Sequence, residues 1–200
     1  MSLAQPVTNF HTASPPTQSS GSNVPDPESI YPLVIVTGTH NILHAASEVK
    51  TVKALINSST SGVMTDNVSH MINCKDDSPI LRECQRPPNS PQRTYCLSKA
   101  EAEEAIRFAN RNTETGGGLL TVSLRPGLVF GERNTASLGK MVARQGKSRF
   151  QIGDGQNPYD FIYAGNLADA HLLSCGRWLM LRAKNHLRIP QPASTAKSST

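Results

Sequence analysis

The sequence predicts an α/β domain built on a parallel sheet. Short apolar, β-branched runs stand at Val52-Lys53-Ala54-Leu55-Ile56-Asn57, at Leu119-Leu120-Thr121-Val122-Ser123-Leu124 and at Asp160-Phe161-Ile162-Tyr163. Segments with helical spacing lie between them, and strands that alternate with helices indicate parallel order. The first run ends in Ser58-Ser59-Thr60-Ser61-Gly62-Val63, a hydroxyl cluster at what would be the carboxyl edge of the sheet. Open α/β sheets bind ligands at that edge. A Ser/Thr turn bonding its own backbone is the equal alternative at this point.

In chain order, residues 1–29 are mostly Pro, Ser, Thr, Asn and Gln. Such a composition cannot bury enough apolar surface to offset its ordering entropy, so a disordered leader is expected there. Order is expected from Ile30-Tyr31-Pro32-Leu33-Val34-Ile35-Val36 onward. Thr39 to Val49 carries Ile42, Leu43, Ala46 and Val49 on one helical face. His40 and His44 fall on its surface. Residues 65–93 read as a long polar loop with Pro79, Pro87, Pro88 and Pro91. A helix follows from Tyr95 to about Asn110. Gly116-Gly117-Gly118 reads as a turn rather than a phosphate loop, because the GxGxxG spacing and a following helix are both absent. A helix over 138–145, a Gly-rich loop over 146–157 and a helix opened by Asn166 as its cap complete the domain. Residues 177–200 read as a basic, mostly disordered tail.

Charge is unevenly placed. The formal net charge is +5, and residues 176–200 alone hold Arg177, Arg182, Lys184, Arg188 and Lys197 with no acid. The body of the chain is therefore close to balanced, which argues against a nucleic-acid face. Cys74, Cys84, Cys96 and Cys175 form no C-x-x-C pair, and the six His no H-E-x-x-H, so no metal site or disulfide framework is read. Reduced thiols point to an intracellular compartment. No apolar stretch approaches the ~20 residues of a membrane span.

The chemistry centres on Tyr95-Cys96-Leu97-Ser98-Lys99. Residues four apart share a helix face, so the phenol and the ammonium lie on one side. A nearby cation lowers a phenol's pKa, and a Tyr so poised can exchange a proton with an alcohol oxygen. The spacing alone is weak evidence, as for any short motif.

Five stretches, in order, resemble the extended short-chain dehydrogenase/reductase family, and within it the 3β-hydroxysteroid dehydrogenase branch that includes sterol-4α-carboxylate 3-dehydrogenases. They are Gly38-Thr39-His40-Asn41-Ile42-Leu43, Ser58 to Val63, the Tyr95/Lys99 pair, Leu124-Arg125-Pro126-Gly127-Leu128-Val129-Phe130-Gly131, and Asp160 to His171. The resemblance implies that Tyr95 is the acid/base and that Lys99 lowers its pKa and holds the nicotinamide ribose. It implies that Thr60, with Ser59 as the close alternative, bonds the substrate oxygen, and that Pro126 and Gly127 lie beside the nicotinamide. His171 is read as structural. The implied cofactor is NAD or NADP, the partner a sterol or steroid-like small molecule, and the location cytoplasmic or peripheral at the endoplasmic reticulum.

Against the family pattern, no strand–GxxGxxG–helix is found, and the Asn usually placed before the central helix falls at Ile35. The expectation is a partial Rossmann-like domain over residues 30–176, shortened at both ends and lacking the N-terminal βαβ glycine-loop unit. Without that loop, dinucleotide binding is expected to weaken from micromolar to beyond roughly millimolar. An exposed sheet edge would invite self-association. The alternatives are an inactive remnant or interaction module, and a nucleotide-sugar epimerase-like protein.

Overall fold

A computed structural model describes residues 7–15, 26–49, 51–65, 90–110, 118–132, 154–156 and 159–186, with side chains in the last helix described as far as Arg177. A three-stranded parallel sheet holds β1 (Val7–His11), β2 (Val52–Ser58) and β3 (Leu120–Leu124) in the order β1-β2-β3. A second parallel pair joins β4 (Leu128–Phe130) to β5 (Phe161–Tyr163). The α/β class and the parallel order predicted from sequence are both present.

β2 is central, and Ala54, Leu55, Ile56 and Asn57 are buried. A strand flanked on both sides and covered on its faces reads as a continuous apolar run, which is why Ala54-Leu55-Ile56 stood out. β3 pairs with it from Ala54↔Leu120 to Ser58↔Leu124. The backbone bonding continues beyond the strands, from Ser59 N–H to Leu124 O at 2.8 Å and from Ser61 N–H to Pro126 O at 2.9 Å.

The amino-terminal segment corrects the sequence reading. Val7–His11 is a strand, parallel to β2, where composition predicts a disordered leader. The mean polarity of residues 1–29 hides Val7, Thr8 and Phe10, whose β-branched and aromatic side chains suit a pleated surface. Pairing with β2 supplies the backbone partners that an isolated segment lacks.

Helical structure likewise begins at Pro27, three residues before the expected onset of order. α1 (Pro27–Tyr31), a π-helical segment (Pro32–Thr37) and α2 (Gly38–Val49) follow without a break. Pro27 stands in the first turn, where its missing N–H costs nothing. Tyr31, Ile35 and Ala102 form a buried cluster, with Ile30 and Tyr95 packed against it. This cluster seats the α1–α2 run on α3 (Pro91–Ala109).

The last helix, α4, spans Ala164–His186. It begins two residues before Asn166, so Asn166 is inside the helix rather than its cap. It also runs ten residues beyond Gly176, into the segment read as a disordered tail. A single helix-interior glycine costs only about 1 kcal/mol relative to Ala, too little to end a helix by itself. The helix predicted over 138–145, most of the Gly-rich loop and residues 187–200 lie outside the described residues. Among the described residues, no helix is long and apolar enough to cross a membrane.

Candidate active site

The site is built where the carboxyl end of β2 meets the first turns of α3. β2 delivers three successive hydroxyls, Ser58, Ser59 and Thr60, and each meets a different partner. Thr60, in extended backbone, accepts the Gly62 N–H at 3.2 Å and so caps the short 3-10 turn Ser61–Val63. The same side chain lies near enough to the Tyr95 phenol to oppose the rise of its pKa. The two sequence readings of this cluster, hydroxyl edge and self-bonded turn, therefore both hold at Thr60.

Ser59 is turned elsewhere. Its hydroxyl donates to Glu103 Oε2 at 2.5 Å, and both groups are buried. Glu103 Oε1 in turn receives Arg125 Nε at 2.8 Å and a terminal Arg125 nitrogen at 2.6 Å. Of the two hydroxyls offered for the substrate oxygen, only Thr60 addresses Tyr95; Ser59 belongs to this buried network.

Lys99 is 4% exposed and donates from Nζ to the Ser58 carbonyl at 2.9 Å. Burial pushes its pKa down to about 8. Tyr95 differs from the sequence expectation. Burial, with the neighbouring Cys96 thiol adding to it, pushes the phenol up to about 12. Hydrogen bonds from Ser14 and Thr60 work against that rise without reversing it. The expected lowering by Lys99 is absent, because an amine held at about 8 has already lost its charge where a phenol at about 12 titrates. The ring lies edge-on to Tyr31, with centroids 5.5 Å apart.

Three residues missed from the sequence complete the surroundings. Ser14 follows β1 and brings an exposed hydroxyl to the phenol. His11, at the end of β1, is buried, and its Nε2 lies 2.9 Å from Thr39 Oγ1. The Thr39 hydroxyl donates its own proton to Ile35 O at 2.6 Å, so His11 Nε2 carries the proton in their contact. Burial first, and the Lys99 charge second, hold the His11 pKa below its ordinary value. Glu103 is the third. A signal for it was present, since Tyr95, Lys99 and Glu103 follow one another at intervals of four.

His171, read as structural, holds α4 to the strand end. Its Nδ1 donates to Leu167 O at 2.7 Å, leaving Nε2 to accept the Ser58 hydroxyl at 2.7 Å. Pro126 borders the site through the Ser61 N–H. Gly127 packs so closely on Asp160 that a Cβ would stand 2.6 Å from the Asp160 carbonyl oxygen. That close approach requires glycine.

Comparison with known proteins places this geometry. The model of the 3-beta hydroxysteroid dehydrogenase/isomerase family matches residues 6–188, a span that includes β1 and all of α4. A sterol-4-alpha-carboxylate 3-dehydrogenase, decarboxylating, of Candida albicans is 37% identical over 155 residues, covering 76% of this chain and 41% of that protein. The 3beta-hydroxysteroid-dehydrogenase/decarboxylase isoform 2 of Arabidopsis thaliana is 38% identical over 165 residues, covering 82% and 26%. The chain thus spans less than half the length of these relatives. Among solved structures, a UDP-N-acetylglucosamine 4-epimerase from Methanobrevibacter ruminantium M1 aligns with a TM-score of 0.59 at 26% identity, over 84% of this chain and 50% of that one. A UDP-galactose 4-epimerase aligns with a TM-score of 0.59 at 19% identity, over 86% and 52%, a likeness of fold alone. With the Tyr–Lys pair on α3, the hydroxyl strand end and a family match running through both, the chain belongs to the 3-beta hydroxysteroid dehydrogenase/isomerase family.

Proposed function

We propose that this site carries out NAD(P)-dependent dehydrogenation of a secondary alcohol on a 3β-hydroxysteroid or sterol-type substrate. The observation that carries the reading is the meeting of the Tyr95 phenol with Thr60, while Lys99 lies one helical turn behind it. The sterol-type substrate follows from the curated relatives, whose names describe sterol and steroid 3-dehydrogenases.

The residues present fit the nicotinamide-ribose end of such a cofactor. Lys99 is a buried ammonium with three donors, and one of them is used on Ser58 O. Ribose hydroxyls would satisfy the others. Pro126 and Gly127 would border the nicotinamide. Among the described residues no Gly-rich turn opens a helix to hold the pyrophosphate. When bound, a nicotinamide dinucleotide supplies the acceptor for the carbinol hydrogen and its electron pair.

The chain's own groups handle the proton. Thr60 holds the substrate oxygen against Tyr95. In alcohol oxidation the hydroxyl proton passes to the Tyr95 oxygen as the C–O bond becomes a carbonyl; in the reverse direction Tyr95 returns it. A phenol raised to about 12 is protonated at neutral pH, ready as a donor. Oxidation therefore speeds up as pH rises, because it needs the phenol deprotonated.

The high phenol pKa and the lack of a phosphate turn among the described residues favour a second reading, a family member without turnover. Calorimetric titration with NAD and NADP, followed by turnover of a 4-carboxylated 3β-hydroxysterol, separates the two. Binding that saturates in the millimolar range with reduced nicotinamide formed supports the dehydrogenase. Binding and product both undetectable support the non-catalytic reading.

A further inference from the structure

Tyr95, Lys99 and Glu103 stand on one face of α3, over two helical turns or roughly 12 Å. Each meets a different residue of the β2 end. Tyr95 partners Thr60, Lys99 reaches the Ser58 carbonyl at 2.9 Å, and Glu103 takes the Ser59 hydroxyl at 2.5 Å. The first two rungs of this ladder are the proposed chemical groups. The third has not been given a role.

Glu103 is 2% exposed and directs one carboxylate oxygen to each of two neighbours, Ser59 and Arg125. Arg125 directly follows β3, and the last residue of β3, Leu124, holds the Ser59 N–H. Ser59 is thus fixed from both sides, by its hydroxyl to α3 and by its amide to β3. A buried ion pair is weak evidence for stability, since an apolar side chain of similar size serves that purpose as well. What the carboxylate adds is direction: two oxygens aimed at two elements.

We infer that Glu103 is a positioning residue of the site, which through Ser59 and Arg125 sets the roll and height of α3 against the β2 end. Thr60 then faces Tyr95, and the Ser58 carbonyl faces Lys99. The inference rests on the dehydrogenase reading only for its effect on turnover; the effect on Lys99 is independent of it.

The test follows the Lys99 amine by NMR titration of the full chain labelled at lysine Cε, with Lys99→Met identifying the signal. Burial alone lowers the Lys99 pKa, and Glu103 is not among its causes. A change on altering Glu103 therefore reports movement and hydration rather than lost charge. In a cooperatively folding Glu103→Leu chain, the Lys99 titration should rise by about one pH unit or more. Glu103→Gln, which keeps an acceptor oxygen, should restore much of the wild-type value. Turnover, where the wild type shows it, should lose roughly tenfold or more in kcat with KM little changed, the signature of misplaced reacting groups.

A folded Glu103→Leu chain with the Lys99 titration unmoved would overturn the inference. Should that variant fail to fold, Ser59→Ala decides, since it removes one rung contact and leaves the Glu103–Arg125 pair intact: a raised Lys99 titration supports the inference and an unchanged one overturns it. A wild type without turnover would defeat the dehydrogenase reading and leave the Lys99 result standing by itself.

Discussion

The carboxyl ends of β2 and β5 both close strands in parallel pairing, β2 between two neighbours and β5 beside one among the described residues, and they are built in opposite ways. At the β2 end, Ser58, Ser59 and the Lys99 and Glu103 side chains above them are bonded inward, and three of these four are buried. At the β5 end, Tyr163 is exposed, and its hydroxyl donates to Glu132 at 2.7 Å on the surface. Gly131 and Gly165 pack against the Tyr163 ring. Strand direction alone does not make a site. The β2 end becomes one because α3, β3 and α4 each contribute a directed polar partner in a desolvated place, where such contacts count for most.

The comparison can be broken most severely at Arg125. Arg125→Met leaves the Glu103 carboxylate buried without its ion pair, and the expected loss is about 3–5 kcal/mol by urea denaturation. A loss below about 1 kcal/mol would show that the β2 end is not held by this network.

Lys99 offers a test through pH. Its folded pKa is about 8 against an ordinary 10.5. Below pH 8 both folded and unfolded chains hold the proton, and the folded chain bears the cost of the buried charge. From pH 8 to 10.5 the folded chain releases it first, so the unfolded state binds more protons and stability rises with pH. Relative to Lys99→Met, the wild type should gain up to about 3 kcal/mol across that window. A flat difference would place Lys99 in water.

His171→Ala removes the acceptor for Ser58 and the link to α4, with an expected cost of about 1–2 kcal/mol. Tyr163→Phe, at the exposed β5 end, should change stability by no more than about 0.5 kcal/mol. Equal effects from these two would erase the contrast between the strand ends.

Much of this arrangement was legible in the chain. β2, β3 and β5 announced themselves as apolar runs, and the Tyr95–Lys99 spacing gave the face of α3. Extending the same spacing one turn would have reached Glu103. Arg125 stood within a recognisable stretch, but its partner is 22 residues away in sequence and only folding joins them. β1 was missed because Val7, Thr8 and Phe10 were averaged into a polar leader, and Ser14 was missed with it. The phenol's pKa was read in the wrong direction, lowered where the structure raises it. Spacing reports which charges are near, whereas the rise comes first from burial, to which Tyr31 contributes from a separate segment.

The proposed nicotinamide-dependent dehydrogenation depends on Tyr95 to transfer the proton. Hydride transfer from a 4-carboxylated 3β-hydroxysterol at millimolar NAD or NADP, compared between the wild type and Tyr95→Phe, tests it directly. Reduced nicotinamide is expected from the wild type, at a rate that rises with pH, with a loss of about a hundredfold or more in Tyr95→Phe. Equal rates in the two proteins, or none from the wild type at saturating cofactor, would contradict it.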